Sequence, residues 1–202
     1  MSKAIHIMVD LESVAVSSHP ALFQIGAVQF SQGEDGKLVI GETFVSACTM
    51  QNAIKGDRMD STIKFWEGLP EVLAEIEKLA GDRTQGHMFN EFRLWVNSLV
   101  GDDSETKVYI HGNGAAEDCV WLVNGMNDYG FTIRGHSFRT NLCFRTLKSM
   151  AKAKYAKKFL QAQTDIFSDI EVTTEHDALC DAIYQVKCLD TILQFLDLDL
   201  PE

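Results

Sequence analysis

Three apolar, β-branched runs, AIHIMVDLE (4–12), ALFQIGAVQF (21–30) and KLVIGETFVS (37–46), fill most of the first 46 residues. Turn-prone Ser17, Ser18, His19 and Pro20 precede the second run and SQGEDG follows it, so each run reads as a strand. Connections this short join antiparallel neighbours, because a parallel crossover needs a dozen or more residues. The texture then turns helical, over STIKFWEGLPEVLAEIEKLA (61–80) and TQGHMFNEFRLWVNSLV (84–100). A short buried strand follows in KVYIHG (107–112), then a helix over 117–130, a strand in FTIRGHSF (131–138), a helix over 141–159 and a last helix over 175–195. That order predicts an α/β fold: a mixed sheet with an antiparallel N-terminal meander and helices on its faces. No repeat, low-complexity tract or Pro/Ser-rich linker interrupts it, and with three prolines in 202 residues the expectation is one domain over 1–202.

The apolar share of 46% and charged share of 23% are those of a soluble globular protein. No apolar run approaches the roughly 20 residues that span a bilayer, so no membrane partner is expected. The opening MSKAIHIMVD carries a lysine but no long apolar segment, and reads as a first strand rather than a secretory leader. Five scattered cysteines without Cys-x-x-Cys spacing argue against a disulfide framework and a zinc site, and point to reduced thiols in a cytoplasmic compartment. A net charge of −11 excludes a generic DNA-coating protein. Residues 129–164 nevertheless contain eight Lys or Arg and no Asp or Glu, either a landing strip for a polyanion or a solvated helix face.

Within VDLES, alternation along a strand points Asp10 and Glu12 to one face, and Val9 and Leu11 to the other. Two adjacent carboxylates repel unless a divalent cation lies between them, or unless they occupy an exposed strand end. In HGNGAAEDCVWL a buried strand ends at His111, a glycine-rich turn follows with Asn113 in it, and Asp118 enters the next helix. Gly112 and Gly114 allow close approach of a ligand, or merely connect strand to helix. In TTEHDALCDA, Thr174 and Asp177 form a capping-box pattern, which places His176 in the first helical turn and Asp181 one turn on.

The order Asp-x-Glu on a first strand, Asp after a mid-chain strand, and His-x4-Asp on a late helix resembles the DEDDh exonucleases, the DnaQ-like branch of the ribonuclease H-like fold. The tyrosine subclass would place Tyr four residues before the final Asp; position 177 is Asp, and His176 stands where the histidine subclass has its histidine. DSTIKFW (60–66) and FRTNLCFRTL (138–147) are similar to segments of bacteriophage exonuclease A and related prophage and bacterial 3′–5′ exonucleases. Three positions depart from the pattern: Glu117 replaces the usual aromatic before Asp118, Ser13 the usual Thr after Glu12, and Asn141 a common Asp.

By this resemblance Asp10, Glu12, Asp118 and Asp181 would hold two Mg²⁺ or Mn²⁺ ions, roughly 3.5–4 Å apart. His176 would be the general base toward water, a role suited to imidazole near neutral pH. The expected reaction is 3′–5′ hydrolysis of single-stranded nucleic acid or 3′ overhangs to nucleoside 5′-monophosphates, with DNA favoured over RNA. Leu11, Ser13, Trp66 and Asn113 are expected to contact substrate, although core packing competes for Phe65 or Trp66. Many relatives pair as homodimers, which leaves a homodimer open. The alternatives are a nucleic-acid-binding accessory with a degenerate site, and an oligoribonuclease-like enzyme acting on very short RNA.

Overall fold

The computed structural model describes residues 4–169 and 176–202. Five strands form one sheet in the order β3-β2-β1-β4-β5. They are β1 (Ala4–Ser13), β2 (Leu22–Gln32), β3 (Leu38–Ala47), β4 (Lys107–Gly112) and β5 (His136–Cys143). The first three pair antiparallel, as the short connections require, whereas β4 runs parallel to both β1 and β5. The mixed α/β sheet expected from the order of elements is therefore the fold.

Both faces of the central strand β1 are covered. Ile5, Ile7, Val9 and Leu11 pack on one side with Phe89, Phe92 and Val96 of α3 (Gln85–Val100) and Leu122 of α4 (Val120–Asn127). Met8 faces the other side, with Ala182, Val186 and Leu189 of α6 (Ala178–Leu196) and Phe144 of α5 (Phe144–Asp169). Strand alternation then sends Asp10 and Glu12 toward α6, in line with Met8. Fully buried aromatics such as Phe92 stabilise this arrangement by about 3–5 kcal/mol each, judged by the usual effect of truncation to Ala.

Four boundaries differ from the sequence expectation. The helical stretch 61–80 is two helices, α1 (Asp60–Glu67) and α2 (Pro70–Ala80). Leu69 sits between them at φ −120°, ψ 58°, because a residue preceding proline is pushed out of the helical region. The helix expected over 117–130 begins earlier, as a π turn at Ala115–Cys119, and passes into α4. The strand expected over 131–138 lies at His136–Cys143: Gly135, at φ +75°, turns the chain into it, and residues 141–143 leave the next helix to join it. The last helix starts at Ala178 with Asp177 as its N-cap, accepting from the Cys180 amide at 2.9 Å. His176 therefore precedes the helix instead of lying in its first turn, and the Thr174 half of the expected capping box falls outside the described residues.

Candidate active site

Asp10 and Glu12 are brought to α6 by a backbone contact that only glycine permits. Asp10 pairs across the sheet with Gly26, and a Cβ on Gly26 would overlap the carbonyl of Ala178 and the amide of Leu179. The first turn of α6 thus rests directly on β2. The neighbouring Gln24, paired with Glu12, accepts from the Ala178 amide through Oε1 at 3.5 Å. One turn into the helix, Asp181 projects into the same space: ligand oxygens of Asp10, Glu12 and Asp181 all lie within 4.8 Å of one another. A further turn on, Gln185 Nε2 donates to Asp10 Oδ1 at 2.7 Å and fixes that carboxylate.

Asp118 arrives from the π turn after β4, a helix distortion frequent at functional sites. It packs on Gly112, where a Cβ would come within 2.6 Å of the Asp118 Cβ. Asp118 stands outside the 4.8 Å triad, yet its charge bears on both Asp10 and Glu12.

The electrostatics are severe. Burial pushes the Asp10 and Glu12 carboxyls well above their ordinary range; repulsion from Asp118 and Asp181 pushes both further, and Asp10 also raises Glu12. Gln185 alone opposes this at Asp10. Asp118 is raised to about 7, first by burial and then by Glu117, against the Asn113 backbone amide and Arg145, which lower it. Among the described residues, no basic side chain contributes to the shifts of Asp10 or Glu12. Crowded hard oxygen donors, offset by a cation only at Asp118, fit divalent cations of the Mg²⁺ or Mn²⁺ kind.

His176 has a left-handed backbone, φ 68°, uncommon for a residue with a side chain. Its ring meets Phe65 edge-on at 5.4 Å and Trp66 at 5.9 Å. The next residue, Asp177, is close enough to raise both Asp10 and Glu12.

The residues expected to contact substrate are placed less favourably. Trp66 is 2% exposed, edge-on to Phe23, with its indole Nε1 donating to the Ser13 carbonyl at 2.9 Å. It is a core residue that props up the end of β1, and Phe65, 48% exposed, is the open aromatic. Leu11 is 6% exposed and packs away from the carboxylates. The Ser13 hydroxyl donates to the Ala15 carbonyl at 2.8 Å, and Asn113 contributes its backbone amide to Asp118. Gln185 and Gly26 went unread in the sequence, and Arg145 was read only as one of the eight cations of residues 129–164. A glutamine four residues after Asp181 in an apolar helix was the available signal for the first.

The sheet order is that of the ribonuclease H-like nuclease fold, and the carboxylate cluster sits at its central strand. The chain belongs to the Rv2179c-like family: residues 5–193 match the model described as the 3′-5′ exoribonuclease Rv2179c-like domain. It is accordingly a 3′–5′ exonuclease. Comparison with curated proteins gives no match. Among solved structures, the nuclease domain of 3′hExo, a DEDDh family member bound to rAMP, is similar with a TM-score of 0.60 at 14% identity, over 94% of this chain and 92% of that one. Cell-death related nuclease 4 gives 0.62 at 11% identity, over 96% and 66%. A 3′-exonuclease described with 3′-end specific recognition of a histone mRNA stem-loop gives 0.54 at 11%, over 98% and 83%. At such identities the likeness concerns the fold.

Proposed function

We propose that this exonuclease removes nucleoside 5′-monophosphates from single-stranded RNA 3′ ends, with Asp10, Glu12, Asp118 and Asp181 holding two divalent cations and His176 as general base. One observation carries the reading: a partly to fully buried carboxylate cluster in which Asp118 and Asp181 raise both Asp10 and Glu12, with no cationic side chain among the described residues acting on those two, and a histidine of left-handed backbone next to Asp177, whose charge also bears on them. A binding module with a degenerate site has no use for such a cluster, which costs stability until cations bind.

Mg²⁺ or Mn²⁺ bound there would polarise phosphate oxygens and neutralise charge that builds up on them. The chain's own groups do the rest. A ring nitrogen of His176 takes the proton from the attacking water, and the edge-on contacts with Phe65 and Trp66 hold the imidazole plane. Gln185 keeps Asp10 oriented, and Gly26 sets the height of α6 above the sheet. Phe65 offers its open face to the terminal base in place of Trp66.

The choice of RNA departs from the preference for DNA expected from phage relatives. It is supported by the family description, by rAMP bound to 3′hExo and by the mRNA stem-loop of the related 3′-exonuclease. The deciding assay uses matched 3′- and 5′-labelled single-stranded RNA and DNA, with Mg²⁺, Mn²⁺ or EDTA, beside Asp10→Ala and His176→Ala. Metal-dependent release of mononucleotides from the RNA 3′ end, lost in both variants, is the expected result. His176→Ala should still bind metal. Equal or faster attack on DNA would reverse the polymer assignment.

A further inference from the structure

Glu117 and Arg145 form an ion pair at 2.7 Å beside the cluster, and the chemistry above uses neither. Glu117 lies in the π turn immediately before Asp118, and Arg145 is the second residue of α5, after the buried Phe144. Glu117 is folded back over its own turn, since a Cβ on Gly114 would overlap its Oε2. Both charges are felt at Asp118, Glu117 raising it and Arg145 lowering it. The side chains remain 56% and 43% exposed, Arg145 and Glu117 respectively, and an exposed pair contributes little to folding. A folding role is thus a weak account of one more negative charge set beside four carboxylates. Beyond Arg145, an open groove of about 450 Å³ is lined by Thr146, Ser149, Met150 and Ala153 of α5. The same segment, broken by non-helical backbone at Tyr155 (φ −126°, ψ 22°), carries Lys148, Lys152 and Lys154 before the break and Lys157 and Lys158 after it, ahead of its first acidic residue, Asp165.

Resting on the exonuclease reading, we propose that Arg145 binds the backbone phosphate just upstream of the scissile bond, and that Glu117 is its positioning partner. In the free enzyme Glu117 holds the guanidinium at the rim of the site; an incoming phosphate takes it over. Guanidinium matches carboxylate and phosphate with the same forked donor geometry, so the exchange needs little movement. The released Glu117 stays tucked against Gly114, and the upstream strand follows the groove past Thr146 and Ser149.

The test is binding of a fluorescein-labelled single-stranded RNA in Mg²⁺, with every protein in an Asp10→Asn background so that the strand is not consumed. Arg145→Gln should weaken binding on the order of tenfold. It should also flatten the plot of log affinity against log salt by about 0.7, the slope of one phosphate contact on a single strand. Arg145→Lys should keep the slope while losing affinity, and Glu117→Gln, which removes the carboxylate that the phosphate must displace, should keep the slope and bind at least as tightly. Melting temperatures of the Arg145 and Glu117 variants should match the parent. An unchanged slope in Arg145→Gln, or a loss in Glu117→Gln equal to that in Arg145→Gln, overturns the proposal. Failure of the native chain to hydrolyse any RNA 3′ end would instead defeat the exonuclease reading itself, so the two failures are distinguishable.

Discussion

Gly26→Ala is the substitution that best tests how the site is assembled. The added Cβ would overlap backbone atoms of Ala178 and Leu179, where ordinary contact begins at 3.4 Å, and backbone cannot rotate aside. The start of α6 must lift by about an ångström, and a displacement of that size in catalytic groups typically lowers the rate ~10²-fold. Asp181 and the Asp177–His176 turn move with it, whereas Asp10 and Glu12 stay on the sheet. Overpacking also costs about 1–3 kcal/mol, which lowers the melting temperature of a chain this size by roughly 2–12 °C. The assay is kcat on labelled RNA, measured well below both melting transitions. Gly41→Ala is the control, because its Cβ would clash with the end of the Gln29 side chain, which can swing away, and meets the Gln29 carbonyl at an ordinary 3.5 Å. Gly41→Ala should keep native rate and stability. A Gly26→Ala enzyme with native kcat would refute the argument that this glycine sets the position of the catalytic helix.

His6 and His111 are buried and share a hydrogen bond of 3.0 Å between ring nitrogens. Burial lowers His6 to about 4 and His111 well below its usual range, so the unfolded chain binds protons first as pH falls. Their contribution is full above about pH 6.5 and declines toward pH 4; His6 alone should remove about 2 kcal/mol at pH 5, read as a lower urea midpoint. In His6→Gln that decline should be shallower, and a decline equal to the parent's would discount the pair. Trp66→Phe should lose about 1 kcal/mol with its bond to the Ser13 carbonyl, visible in thermal melts. Phe65→Ala should leave the melt unchanged and raise KM on RNA, by about 5- to 100-fold if one base stacks there; an unchanged KM would remove Phe65 from the substrate surface. Gln185→Leu should free the Asp10 carboxylate and reduce kcat at limiting Mg²⁺ more than at saturating Mg²⁺.

The sequence made legible what depends on local periodicity. Alternation placed Asp10 and Glu12 on one face of β1, and short turns made the meander antiparallel. Asp118 and Asp181 were reached only through resemblance, since neither spacing nor composition links them to β1. Three kinds of feature stayed hidden, each for a physical reason. Gly26 is needed because of a helix 152 residues later in the chain, a contact that no window can contain. Trp66 and Phe65 are adjacent, and which of them faces the core is decided by the Ser13 carbonyl. The start of β5 depends on the left-handed turn at Gly135, which the apolar FTI before it masks.

The left-handed backbone of His176 has an evolutionary side. An L residue held there costs on the order of 1–2 kcal/mol that glycine would not. Glycine at this position would make the chain sturdier and, on the reading above, leave it without its base. Selection for stability alone therefore pulls against the histidine, and only selection for turnover keeps it. A descendant freed from catalysis would be expected to give way first at this turn, well before the carboxylates on β1 and α6.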